Sequence, residues 1–202
     1  MKIIGFIVLP GSGKGEASQI ARQNGLAVVV MGDVVRQEAA RQGLEPTDQN
    51  LGLIGDALRA AEGPDAVAKK TFERAKASGM DVVVVDGLRS REEADFFRAH
   101  VDEFHLVEIC APAKDRLKWL AARGRPDDPG KIILPCKEPD SLAAAALEQR
   151  ECREMGWGMC EAMKIADLKL RNDGSLDDFR KDVKRLLGLL VAGNASGNKE
   201  QF

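Results

Sequence analysis

The feature that most constrains the fold lies at the start of the chain, where an apolar run leads into a glycine-rich turn that ends in a lysine. Residues 3–16 read IIGFIVLPGSGKGE, and a helical pattern follows. This order predicts a buried strand, a phosphate-binding loop and a helix. Gly11 and Gly13 allow the backbone to curl so that successive N–H groups face an anion. Lys14 adds a mobile positive charge, and the helix N-terminus adds its dipole.

The turn departs in two places from the phosphate-loop pattern G-x-x-x-x-G-K-[ST]. Val8 stands where the pattern has its first glycine, and Gly15 stands where it has a magnesium-binding hydroxyl. Because a β-branched residue resists positive φ, Val8 leaves open an alternative, a glycine-rich turn with an incidental lysine. The motifs further along the chain favour the phosphate interpretation.

Length, composition and charge narrow the class of protein. A chain of 202 residues with 44% hydrophobic content can bury one substantial core and carry a small inserted lobe. The net charge is −2 and opposite charges are interspersed, whereas nucleic-acid binding calls for a clustered basic face. No stretch approaches the roughly 20 apolar residues of a membrane span, and the short first run does not lead to a signal-peptide cleavage site. We expect a cytoplasmic protein that binds neither nucleic acid nor a membrane.

The cysteines and histidines do not form a zinc-binding pattern. Cys110, Cys136, Cys152 and Cys160 show no C-x-x-C spacing, and the chain has two histidines. Scattered cysteines fit a reducing cytosol, although their spacing does not exclude a disulfide. His105 lies inside a predicted strand, where we expect a packed histidine rather than a catalytic one.

Apolar runs alternate with helical patterns along the chain, and this alternation predicts an α/β fold. Fully apolar strands separated by helices indicate a parallel sheet that is covered on both faces. We therefore predict a P-loop NTPase fold of three α/β/α layers around a five-stranded parallel sheet. The predicted strands are at 3–9, 26–31, 80–85, 104–110 and 166–171. A single domain should span 1–191, with a flexible tail over 192–202.

Capping signals mark several of the predicted helices. Thr47 is a predicted N-cap, and Ser90 with Glu93 reads as a capping box. In the last helix, Leu176 begins an apolar stripe that we expect to be buried.

Charged residues follow the second and third predicted strands, at the sheet edge where ligands gather in such folds. After the second strand, Asp33 fits an N-cap and Arg36 falls one turn later on the same side. After the third strand, Asp86 could hold waters around Mg²⁺ and Arg89 could reach a phosphate. Two alternatives stay open at this point: a cap beside a solvated arginine, and an aspartate that only caps a turn.

A long segment with little periodicity lies between Arg123 and Ser141 and contains four prolines. A loop of this length inside a compact domain is usually functional or mobile. The alanine-rich helix that follows presents Arg150 and Arg153 on neighbouring turns, which by itself also fits a solvated helical face.

Taken together, these motifs resemble an archaeal group of adenylate-kinase-related P-loop proteins, which is also compared with dephospho-CoA kinase. The loop PGSGKG is similar to that of adenylate-kinase-like nucleotide kinases, which also carry glycine after the lysine. The segment DGLR resembles the Asp-Gly-x-Pro-Arg of adenylate kinases with one residue missing. The likeness covers about residues 1–190 and rests on 10–16, 31–36, 43–48, 62–68, 86–90, 123–129, 166–167 and 172–175.

The resemblance implies an ATP-dependent kinase that transfers the γ-phosphoryl group of Mg-ATP to a small phosphate-bearing acceptor. A nucleoside monophosphate and dephospho-CoA are rival acceptors. The implied ATP-binding residues are Pro10, Gly11, Ser12, Gly13, Lys14, Gly15 and Glu16. The implied acceptor-binding residues are Asp33, Arg36 and Arg89. The implied catalytic residues are Lys14, Asp86, Arg123, Arg150 and Arg153, and Arg116 and Arg125 join the arginines of the lid. Mg²⁺ would lie near Asp86, with help from Glu16. Residues 43–79 correspond to a helical acceptor-binding lobe and 124–150 to a lid.

Two other functions stay open. Val8 and the missing hydroxyl beside Lys14 fit a non-catalytic ATP-binding protein that regulates a protein partner. A slow ATPase coupled to such a partner is a further alternative. The pattern predicts no particular oligomeric state.

Overall fold

The computed structural model describes residues 1–123 and 139–193, with side chains described in these ranges except at 121–123, 139–143 and 146. A five-stranded, all-parallel sheet forms its centre, as predicted. The strands are β1 (Lys2–Val8), β2 (Ala27–Val30), β3 (Val82–Leu88), β4 (Glu103–Cys110) and β5 (Leu168–Arg171), in the spatial order β2-β3-β1-β4-β5.

Helices connect the strands and cover the sheet. They are α1 (Lys14–Gln23), α2 (Met31–Arg41), α3 (Asp48–Glu62), α4 (Ala66–Ala77), α5 (Arg91–His100), α6 (Ala113–Arg123), α7 (Pro139–Gly156), α8 (Met159–Lys164) and α9 (Leu176–Val191). The six-residue helix α8 was not predicted, because it is too short to show a period. Within the described residues, none of these helices combines the length and apolar character that crossing a membrane would require.

Alternate residues of the strands build two cores, one on each face of the sheet. Ile3 and Ile7 point into a core that α2, α3, α4, α5 and α8 complete, whereas Ile4 and Phe6 point into a core with α1 and α9. Both sets of β1 side chains are fully buried, and each large apolar side chain contributes roughly 1.5–3 kcal/mol on burial. The predicted three-layer α/β/α arrangement is confirmed.

The strand order places a ligand crevice above β1. Strand β1 pairs with β3 on one side and with β4 on the other, so the connections from β1 and its neighbours diverge at this point. In open parallel sheets, ligands bind outside the carboxyl ends of the strands at such a switch point. The glycine-rich turn follows β1 and therefore lies at this position.

Several local predictions hold and others are wrong. The side chains of Thr47 and Ser90 accept hydrogen bonds from the amides of the third residues of α3 and α5, as N-caps do. Asp33 does not cap its helix, because β2 runs directly into α2 and the helix begins at Met31, before the aspartate. Leu176 is 51% exposed and does not join the buried stripe of α9. The predicted lid over 124–150 lies outside the described residues except for its part in α7, and the predicted tail does so except for its first two residues.

Candidate functional site

The glycine-rich turn begins only after Val8, which is the last residue of β1 and pairs with Ile109 of β4. No non-glycine residue has a positive φ in the part of the chain that the structure describes. Val8 therefore imposes no strain on the loop. Gly11 and Gly13 carry the left-handed conformations, with φ of 84° and 103°, which only glycine adopts readily.

The first turn of α1 closes the loop and presents backbone donors to the crevice. Gly13 is the N-cap and makes no side-chain capping bond. The first N–H groups of a helix have no i−4 partners inside it. In α1, the Glu16 N–H donates to the Gly13 carbonyl at 3.0 Å, whereas the Lys14 and Gly15 N–H groups donate to no other described group and remain available to an anion. The loop lines an open cleft of about 530 Å³.

The loop lysine meets the end of β3. Lys14 Nζ forms an ion pair with Asp86 Oδ1, and Ser18 Oγ donates to Asp86 Oδ2 at 2.6 Å. Asp86 is 4% exposed and lies in β3, which extends to Leu88 and so beyond the predicted strand end. The aspartate is thus a buried partner of the loop lysine rather than the cap of a turn.

The cleft brings together residues that are far apart in the sequence. Besides the loop, its lining includes Arg36 from α2, Arg89 after β3, and Arg150 from α7. Trp119 of α6 adds an aromatic wall. The predicted loop, the predicted acceptor-binding arginines and one predicted lid arginine therefore share a single cleft.

Two of the predicted lid arginines, Arg153 and Arg116, do not line this cleft. Arg153 lines a smaller chamber of about 40 Å³ beside the cleft, where its Nη2 donates to Asp48 Oδ1 at 2.8 Å. Arg116 is 6% exposed; its Nη1 donates to the Pro10 carbonyl at 3.2 Å and pairs with Glu151. The side chain of Arg123 and the whole of Arg125 lie outside the described residues.

Each of the three described arginines that line the cleft has a carboxylate neighbour. Arg36 Nη1 donates to Asp33 Oδ1 at 2.6 Å. The Nε atoms of Arg89 and Arg150 each lie 3.2 Å from Glu154 Oε1. Glu154 is 2% exposed, so its charge is buried between two guanidinium groups that both line the cleft.

Behind these arginines, a second buried glutamate fixes the segment that carries Arg89. Glu93 Oε2 accepts from the Arg89 amide at 2.8 Å, and Glu93 Oε1 accepts from Arg59 Nη2 at 2.7 Å. The ring of Trp157 lies next to three guanidinium groups, with the Cζ atoms of Arg59, Arg89 and Arg153 at 4.3, 5.6 and 5.7 Å from its centroid. These distances are within the range of cation–π attraction.

Sequence reasoning missed Ser18, Asn172, Glu154 and Trp157 as site residues. Glu154 had a weak signal, because it stands four residues after Arg150, a spacing that puts both on one helix face. Asn172 follows the last strand, at the edge where ligands gather. Ser18 and Trp157 had no signal, since neither lies in a recognisable motif.

The residues present fit a magnesium ion that arrives with a nucleotide, not one held by protein ligands alone. Within the described part of the chain, no group of three or more His, Cys, Asp or Glu residues is arranged to hold a metal. Mg²⁺ usually keeps several waters and binds through one or two carboxylates and substrate phosphates. Asp86, the ion-pair partner of Lys14, is one carboxylate that would fit this kind of site. Glu16 lines the cleft, but its Oε1 accepts from Arg180 Nε at 2.6 Å.

The cysteine at the end of β4 is not activated. Burial raises the pKa of the Cys110 thiol above its ordinary value, which favours the neutral thiol over the nucleophilic thiolate.

Comparison with known proteins places the chain in a family. A family model described as an AAA domain matches residues 8–133. A UPF0200 protein of Methanothrix thermoacetophila is 49% identical over 187 residues, which cover 93% of this chain and 97% of that protein. A second UPF0200 protein, from Methanoculleus marisnigri, is 42% identical over 93% of this chain and 96% of its own length.

Solved structures confirm the fold. Dephospho-CoA kinase from Campylobacter jejuni superposes with a TM-score of 0.57 at 17% identity, over 96% of this chain and all of that chain. Shikimate kinase from Bacteroides thetaiotaomicron gives a TM-score of 0.52 at 14% identity, over 95% and 98%. These likenesses show a P-loop kinase fold, and the expected relationship to an archaeal P-loop family is confirmed. The chain therefore belongs to the UPF0200 family and carries an AAA-family P-loop domain.

Proposed function

We propose that the protein is a kinase that transfers the γ-phosphoryl group of Mg-ATP to a small phosphate-bearing acceptor. The observation that carries this proposal is the composition of the cleft. At one end, Lys14 and the helix N-terminus provide a phosphate site beside the carboxylate of Asp86, and the guanidinium groups of Arg36, Arg89 and Arg150 line the same space. Donor and acceptor phosphates could therefore meet within one cavity.

On the nucleotide side, the loop amides and the ammonium of Lys14 would bind the β- and γ-phosphates of ATP. Lys14 would exchange its ion pair with Asp86 for the phosphates, and Asp86 would then face Mg²⁺ through water. When bound, Mg²⁺ neutralises charge on the phosphates. The loop residues Pro10 to Glu16 remain the proposed ATP contacts, and Glu16 would have to leave Arg180 to join them at the metal.

On the acceptor side, arginine is suited to the task because its planar fork binds phosphate oxygens in pairs. Arg36 and Arg89 would hold the acceptor, with Asp33 orienting Arg36. The proposed acceptor-binding lobe at 43–79 includes helix α3, which lines the smaller chamber beside Arg36 and Arg89 with Asp48, Leu51 and Gly52. Arg150 would balance the charge that develops during transfer. Arg123 and Arg153 are further proposed members of this group of charge-balancing arginines.

Phosphoryl transfer suits such a site, since the reaction depends on positioning and charge neutralisation rather than on a protein nucleophile. A nucleoside monophosphate and dephospho-CoA remain rival acceptors. The fold shared with a dephospho-CoA kinase supports the second, and the adenylate-kinase-like loop supports the first.

The test is ADP production from Mg-ATP with a panel of acceptors: AMP, CMP, UMP, GMP and dephospho-CoA. Turnover should depend on one acceptor class and should fall by orders of magnitude in Lys14→Ala, because the variant loses the cation that binds the transferring phosphate. Lys184→Ala is the matched control, since Lys184 is an exposed lysine of α9, and this variant should retain wild-type turnover. Acceptor-independent turnover, or equal rates in both variants, would contradict the proposal.

A second candidate is a non-catalytic or slowly hydrolysing ATP-binding regulator that acts through a protein partner. The favouring observation is that Lys14 is paired with Asp86, Glu16 is paired with Arg180, and Gly15 offers no hydroxyl to a metal. For this function, ATP should raise the melting temperature of the protein while no acceptor stimulates ADP release. ADP release that requires a protein partner would identify the slow ATPase.

A further inference from the structure

Two side chains from distant parts of the chain hold carbonyl groups of the phosphate loop. Arg116 Nη1 of α6 donates to the Pro10 carbonyl at 3.2 Å, and Asn172 Nδ2, just after β5, donates to the Ser12 carbonyl at 3.1 Å. Both donors are buried, with Arg116 6% and Asn172 5% exposed. Neither contact uses the catalytic groups proposed above.

These contacts matter because of peptide geometry. In a planar trans peptide, the C=O of one residue and the N–H of the next point in opposite directions, and the described chain contains no cis peptide bond. A donor that holds the Pro10 carbonyl therefore aims the Gly11 N–H to the opposite side. A donor that holds the Ser12 carbonyl does the same for the Gly13 N–H.

The Gly11 and Gly13 amides, whose directions these contacts fix, are available for a ligand. Neither the Gly11 nor the Gly13 N–H donates a hydrogen bond to another described group, whereas the intervening Ser12 N–H donates to the Leu9 carbonyl at 3.2 Å. Gly11 and Gly13 both line the cleft. Alternate amides of the loop are thus left for an anion.

Close packing keeps the two clamps of the loop, the side chains of Arg116 and Asn172, in place. A Cβ on Gly11 would lie 2.7 Å from the backbone oxygen of Arg116, and a Cβ on Gly13 would overlap Asn172 Nδ2. Arg116 also pairs with Glu151 of α7, and the Asn172 amide donates to the Cys110 carbonyl at 2.8 Å. The two glycines therefore serve a second purpose, which is to let the clamps approach the loop.

We infer that Arg116 and Asn172 are positioning residues that orient the Gly11 and Gly13 amides toward the phosphates of the ligand. This inference rests on the proposed binding of nucleotide phosphates by the loop. It moves Arg116 from the predicted set of lid arginines to a role behind the loop. It also gives a function to Asn172, which lies in the 172–175 segment of the family resemblance but was not a predicted site residue.

The test uses inorganic pyrophosphate as the probe and isothermal titration calorimetry on the full chain. Arg116→Met and Asn172→Leu remove the donors while keeping apolar volume, and each should raise the pyrophosphate Kd at least tenfold. The matched controls are Lys118→Met and Gln149→Leu, which alter exposed side chains of α6 and α7 and should leave the Kd unchanged. An unchanged Kd in both clamp variants, or no pyrophosphate binding by the wild type, would overturn the inference.

A second measurement on the wild-type chain covers the case in which a clamp variant fails to fold, and it reports orientation rather than stability. In ¹H–¹⁵N spectra, pyrophosphate should move the amide proton signals of Gly11 and Gly13 downfield, because both N–H groups then donate to phosphate oxygens. Gly25 and Gly79, turn glycines with open space around them, should not move. Unmoved Gly11 and Gly13 signals at saturation would reject the inference.

Failure of the inference can be told apart from failure of the proposed function. If the clamp variants bind pyrophosphate more weakly but no acceptor stimulates ADP release, the positioning role of Arg116 and Asn172 is supported and the kinase proposal is rejected. If acceptor-dependent turnover is present but the clamp variants bind pyrophosphate normally, the kinase proposal is supported and the positioning role is rejected.

Discussion

At the residue scale, the phosphate loop depends on glycine for two separate reasons. Gly13 has a φ of 103°, and its missing side chain leaves the space that Asn172 Nδ2 occupies. Conformation and contact thus impose the same residue type. Gly79 separates the two effects, since its φ is 67° but no atom lies within 4 Å of a Cβ built on it.

We therefore expect Gly13→Ala to destabilise the protein more than Gly79→Ala. A left-handed alanine costs about 1–2 kcal/mol in either place, and only at Gly13 must the Asn172 contact also break. Urea unfolding of both variants measures the difference in the free energy of unfolding. Gly13→Ala should also bind pyrophosphate more weakly, whereas Gly79→Ala should bind it normally. Equal losses of stability would mean that the contact with Asn172 adds nothing.

At the scale of elements, buried carboxylates connect helices that the sequence separates. Glu93 of α5 is fully buried and receives hydrogen bonds from Arg59 of α3 and from the amide of Arg89. The capping box predicted at Ser90 is only half formed as expected: Ser90 caps the Glu93 amide, but the glutamate side chain bonds to the Arg89 amide instead of the Ser90 amide. In this way the first turn of α5 fixes the backbone of Arg89, an arginine of the cleft.

Replacing this glutamate should be costly. Glu93→Ala leaves the guanidinium of Arg59 buried without its carboxylate, and breaking a buried pair in this way costs about 3–5 kcal/mol. Chemical denaturation should show that loss, whereas Glu92→Ala, at an exposed position in the same turn, should change stability by less than about 1 kcal/mol. If the two variants proved equally stable, the Glu93 contacts would not support the fold.

At the scale of the whole molecule, the start of the central strand joins three elements at the surface. Lys2 Nζ of β1 donates to the Leu190 carbonyl of α9 at 2.7 Å and lies 2.9 Å from Glu103 Oε2 of β4. The hydrogen bond from Lys2, and next to it the one from His105, hold the pKa of Glu103 below its ordinary value of 4.5. The pairing of His105 with Glu103 also fits the structural histidine that was predicted.

This pKa shift gives a pH dependence with a defined sign. Because the folded state binds the Glu103 proton more weakly than the unfolded chain, the carboxylate stabilises the fold above pH 4.5 and loses this contribution as the pH falls through the lowered value. Urea midpoints of Glu103→Gln should therefore fall less steeply with acidification than those of the wild type. Glu161→Gln, an exposed control on α8, should follow the wild-type curve, and a Glu103→Gln curve parallel to it would refute this assignment.

Patterns between near neighbours were enough to predict much of the fold. The alternation of apolar runs and helical periods predicted five parallel strands, and the turn glycines with Lys14 predicted the phosphate loop. Element ends were less certain, because hydrogen bonds rather than hydrophobicity decide them: β3 continues through Asp86 to Leu88, and α2 begins before Asp33. A short helix such as α8 leaves no periodic signal.

The partners of the site residues were decided by the tertiary structure alone. The sequence by itself determined which residue types stand at the ends of the strands, since spacing along the chain is a local property. It did not determine that Arg116 and Asn172 hold the loop from 106 and 160 residues away, or that Glu154 lies between Arg89 and Arg150. Those contacts exist because the strand order β2-β3-β1-β4-β5 brings the ends of β1, β3 and β5 to one edge, and sheet order is set by packing across the whole chain.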